Sequence, residues 1–131
     1  MNCEIKRQDW ADFFERLTKR RFEWMTNVEV VGPYIGDQRL SEGFPLNGIT
    51  LETKGDEATV FVSLGEKTGH HQSHAVRNPA RVAYMEDSET EEEVVDIEEA
   101  DGTKTLIRLI EPMSLLVGFS AYEFGIATTT V

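Results

Sequence analysis

The chain holds 131 residues, 40% of them hydrophobic, with a formal net charge of −11 and a sequence pI near 4.6. That field repels phosphate backbones, and the basic residues bunch only at Lys19-Arg20-Arg21, where they complement a helix dipole, so no nucleic-acid partner is expected. No run of about 18 apolar residues and no opening signal pattern is present, and the lone cysteine, Cys3, can form no internal disulfide; the expectation is a cytoplasmic protein with no membrane partner.

Residues 7–24, RQDWADFFERLTKRRFEW, carry a helical period. Asp9 is placed as the N-cap, with Asp12 in the first turn. Trp10, Phe13, Phe14 and Leu17 share one face, and Glu15, Arg16, Lys19 and Arg20 the other. Such an aromatic stripe can line a ligand pocket, but it is the ordinary signature of a face lying on a sheet.

From Trp24 onward the period changes to alternation. Residues 28–32, VEVVG, predict a first strand, and Pro33, Gly36 and Asp37 a turn. Residues 38–54 predict a long strand interrupted near Pro45, since proline lacks the amide proton that a central ladder needs. Gly55-Asp56 turns the chain into 58–65, where Val60 and Val62 point one way and Phe61 and Ser63 the other.

The stretch GHHQSHAV (69–76) contains all three histidines. On a helix, His70 and His74 would stand at i and i+4, and His71 and His74 at i and i+3, close enough to share a zinc ion. These three are the candidate metal ligands, although Gln72 and Ser73 stand where a helical zinc site carries glutamate. Gly69 and Pro79 bracket the segment, and Gln72, His74 and Val76 alternate with Ser73, Ala75 and Arg77. A strand is therefore expected, with His74 facing away from its neighbours and His70 and His71 in the preceding loop. Ser73 and His74 then lie on opposite faces and cannot act as nucleophile and base. No catalytic residue and no cofactor are expected.

Residues 80–87 predict another strand. The acidic run 86–101 has oxygen ligands that suit calcium but lacks the spacing of a calcium loop, so it reads as a solvated loop and the outer face of a hairpin. Residues 94–100 and 103–111 flank Asp101-Gly102, a type I′ signal, and that register sets Glu99 against Lys104 and Ile97 against Leu106. Residues 113–131 form an apolar tail expected to dock or to be partly disordered; Gly118 and Gly125 weaken it as a helix.

The fold expected for residues 1–112 is a single α+β domain. Its N-terminal amphipathic helix packs on a curled antiparallel sheet of about six or seven strands, a roll or partly open barrel.

One ordered set of residues carries a resemblance: Trp10 and Phe14 on the helix, Gly36-Asp37-Gln38, Pro45-Leu46, Gly48-Ile49, His74 with Pro79, and Asp101-Gly102 with Ile107-Arg108-Leu109. In this order they resemble an uncharacterised bacterial family of domains of unknown function, DUF5335, over roughly residues 8–112. The resemblance implies a compact domain of a bacterial cytoplasm and brings no activity, cofactor or catalytic residue. Among the matching positions His74 is the one able to do chemistry. The longer acidic run and the extra tail depart from the pattern. The reading is a non-enzymatic binding or protein-interaction module, self-associating through the tail or an open sheet edge. The alternative is a small metal-dependent or small-molecule enzyme centred on His74.

Overall fold

A short strand, β1 (Asn2–Ile5), and a single 3-10 turn (Arg7–Asp9) lead into the helix α1 (Trp10–Arg20) in the computed structural model, which describes residues 2–65, 69–90 and 92–111. Seven further strands follow: β2 (Met25–Gly32), β3 (Gly36–Lys54), β4 (Glu57–Gly65), β5 (His71–Arg77), β6 (Pro79–Glu86), β7 (Glu93–Glu99) and β8 (Lys104–Ile110). They form one eight-stranded sheet in the order β1-β6-β7-β8-β2-β3-β4-β5, with every neighbouring pair antiparallel. Among the described residues the sheet is not closed. The expectation of a helix with an antiparallel sheet holds at this level, but the described strands number eight rather than six or seven. The extra one is β1, four residues that are mostly exposed and so carry no alternation to read. The expected tail, 113–131, lies outside the described residues. No helix among the described residues is long and apolar enough to cross a membrane.

The helix buries Trp10, Phe14 and Leu17, and Phe13 sits partly buried at the edge of that stripe. Asp9 holds the N-cap position, but its side chain makes no capping bond. Its backbone is already helical, since its N–H closes the preceding turn on the Lys6 carbonyl. The Trp10 indole N–H donates to the Ile5 carbonyl at 2.9 Å, so burying this ring strands no polar group.

Thr18 ties the helix to the middle of β3. The Thr18 hydroxyl donates to the Ile49 carbonyl (3.1 Å) and accepts from the Ile49 N–H (2.9 Å), taking the place of a neighbouring strand. Gly48 lets the helix approach, because a Cβ there would lie 3.3 Å from Thr18 Cγ2. Beneath it Val28, Ile49, Val60, Val62, Ile97 and Ile107 are among the side chains at or near zero exposure.

The β7–β8 register differs from the expected one by a single residue. Glu98 faces Lys104, Ile97 faces Thr105 and Asp96 faces Leu106. Residues directly opposite share a face, so this register sends Val95, Ile97, Ile107 and Leu109 inward together, whereas the expected one would have turned Ile107 and Leu109 outward. The loop adapts: Glu99 bonds Thr103 across three residues, with Gly102 at φ +93°.

Candidate functional site

In β5 the alternation is as expected, with His71, Ser73, Ala75 and Arg77 exposed and Val76 buried. Gln72 and His74 sit half-buried on the inward side. His70 precedes the strand; His71 is its first residue rather than part of the loop. The strand therefore turns His71 and His74 to opposite faces. Gly65 makes room for His71: at φ +151°, a Cβ there would lie 2.6 Å from both His71 Nδ1 and the His70 carbonyl. His74 Nε2 and Gln72 Oε1 are buried without a hydrogen-bond partner among the described residues, and burial pushes the His74 imidazole below its ordinary pKa. Among the described residues no three His, Cys, Asp or Glu side chains gather as a metal site requires.

The acidic run resolves into turn, outer face and core. The Asp87 carboxylate accepts from the N–H groups of Glu89 and Thr90, which holds it below the usual carboxylate range. On the outer face Arg81 bridges Glu4 and Glu98, Lys104 stands 3.9 Å from Asp96, and Arg108 pairs with Glu29 at 3.0 Å. Glu93 turns inward instead, buried against the Arg21 guanidinium, a placement that sequence reasoning missed. The signal was there: Glu93, Val95 and Ile97 share a strand face, and a carboxylate on the core side demands a cation.

The first half of β3, in its hairpin with β2, is mostly exposed. Residues 36–45 pair with β2 alone, since the ladder to β4 begins at Leu46. Their other flank carries no strand among the described residues. Tyr34 at the tip is 88% exposed, and Ile35 and Leu40 are exposed too; these are three of the five large hydrophobics exposed among the described residues. Leu40 sits at a bulge, where pairing steps from Glu29↔Arg39 to Val28↔Ser41. The charges of the arm alternate in sign, with Asp37, Arg39 and Glu42 all exposed. Arg39 donates to Glu42 at 2.8 Å, and this carboxylate raises the guanidinium's pKa. The arm can offer backbone groups, apolar side chains and both signs of charge at once.

Comparison with known proteins places the chain. The model of a family of unknown function, DUF5335, matches residues 1–117. The chain belongs to that family. An uncharacterized protein of Aquifex aeolicus (strain VF5) is 27% identical over 105 residues, covering 80% of this chain and 88% of that protein. No solved structure matches. The family carries no assigned activity, so function has to be argued from this chain's own surface.

Proposed function

We propose that this DUF5335 member is a non-enzymatic binding module of the bacterial cytoplasm that pairs with a second copy of itself along the free flank of β3. The observation that carries the reading is the arm itself: a strand flank from Gly36 to Pro45 without a ladder among the described residues, beside exposed Tyr34, Ile35 and Leu40. An uncovered strand edge is a template for pairing, and main-chain hydrogen bonds supply the affinity. A two-fold contact pairs residue i with j and j with i. Antiparallel pairing centred on Gln38 sets Asp37 of each copy opposite Arg39 of the other, so the charges of the arm favour its own copy.

We read the sheet behind the arm as curled into a partly open roll. Contacts of β4 with β6 and of β5 with β7, strands five places apart in the sheet order, support this. A rolled body would leave the arm as the part free to reach a partner.

Amide hydrogen exchange at low and high protein concentration tests the proposal. The amides of Asp37 and Arg39 should gain protection as concentration rises, while those of Val60 and Val62 stay constant. Protection of the arm that does not change with concentration would contradict self-pairing.

A further inference from the structure

On the side of α1 away from the Thr18 contact, the helix leaves a cleft of about 310 Å³ against β6, lined by Phe13, Arg16, Leu17, Arg20, Arg21 and Tyr84. Phe13, Arg16, Leu17 and Arg20 stand at i, i+3, i+4 and i+7, so one helical stripe supplies one wall. Tyr84 supplies the other, its ring edge-on to Phe13 at 6.1 Å. The apolar surface thus comes from two rings and a leucine, and the polar surface from three guanidinium groups and a phenol.

The three arginines stand in different states. Arg21 is fixed, because it donates to both Glu93 carboxylate oxygens (2.8 and 2.7 Å) and stacks on the Trp24 ring at 4.4 Å. Arg16 is exposed and paired with Asp12, an arrangement worth little in water and easily exchanged. Arg20 has no ion-pair partner among the described residues. Burial first, and Glu93 next, hold the Tyr84 phenol above its ordinary pKa, so it keeps its proton and can donate.

We propose that this cleft binds a small organic anion, a carboxylate or phosphate carried on a flat apolar body, with Arg20 and Arg16 at the anionic group and Phe13 and Tyr84 against the body. Guanidinium groups match planar oxyanions by shape as well as charge, and a cavity near 310 Å³ lies at the small end for ligand sites, which suits a single ring. The net charge of −11 does not bar this. Remote carboxylates are screened over about 8 Å at physiological salt, while contact hydrogen bonds are not. The site is independent of the arm proposed for self-pairing.

Titration of the isotope-labelled protein, followed through backbone and arginine Nε–H resonances, tests the cleft directly. Phenyl phosphate and benzoate should give saturable shifts at Tyr84, Arg20 and Arg21. Benzylamine should give none, and inorganic phosphate should bind phenyl phosphate's site about tenfold more weakly or worse. Arg20→Ala should weaken phenyl phosphate about tenfold, the contribution of one charge-assisted hydrogen bond, and Arg16→Gln provides a second variant at an exposed position. Absence of saturable shifts, equal binding of benzylamine or inorganic phosphate, or unchanged affinity in both variants would overturn the proposal.

Discussion

The two halves of β3 belong to one continuous strand and live in different surroundings. From Leu46 onward the strand is built into the protein, with Leu46, Gly48 and Ile49 buried, β4 on one flank and Thr18 of the helix satisfying Ile49 on the other. Before Leu46 it carries exposed residues on both faces and, among the described residues, a partner strand on one flank only. The lengths of the ladders explain the difference. β4 ends at Gly65, so its ladder stops at Leu46 and that flank is left without a strand from Gly36 to Pro45 among the described residues, while on the opposite flank Thr18 takes over where β2 ends. What remains uncovered is either blunted by its charges or used, and the self-matching order of Asp37 and Arg39 favours use.

Substitutions under the helix should break the sealed half most severely. Trp10→Ala or Phe14→Ala empties a fully buried position and should cost about 3–5 kcal/mol in chemical denaturation. Thr18→Val keeps the volume but leaves the Ile49 N–H and carbonyl without partners, a loss of about 1–3 kcal/mol by the same measurement. Acid should weaken β5 at the far edge of that half. The His74 pKa is lowered in the folded chain, so the unfolded chain takes up the proton first. Stability from this group is complete above about pH 6.5 and is lost as pH falls through the folded value. Thermal melts at stepped pH should show His74→Gln removing part of the acid-side decline. The exposed half should barely register in stability: Tyr34→Ser with Leu40→Ser should change the unfolding free energy of dilute protein by less than about 0.5 kcal/mol.

Much of this contrast was legible beforehand. The stripe of Trp10, Phe14 and Leu17, the alternation of Val60 and Val62 and the break near Pro45 all follow from local periodicity and backbone chemistry. Pro45 indeed marks where β3 exchanges β2 for β4. The register of the last hairpin was misread because Asp101-Gly102 suits two loops of different length. The choice fell to Ile107 and Leu109, which needed the core face. The Arg21–Glu93 pair was hidden because 72 positions separate its members, and a basic cluster at a helix end already had a local explanation in the dipole. The free flank of β3 could not be read from the turns, since hairpin signals name neighbours and are silent on how far each ladder runs.

The account turns most directly on mass in solution, measured by sedimentation across a concentration series for the parent protein, Asp37→Arg, Arg39→Asp and the double exchange. Pairing along the β3 flank predicts a dimer for the parent, a shift toward monomer for each single variant through like-charge opposition, and restoration of the dimer when both charges are exchanged. A parent protein that stays monomeric at every concentration, or single variants that dimerise as it does, would contradict it.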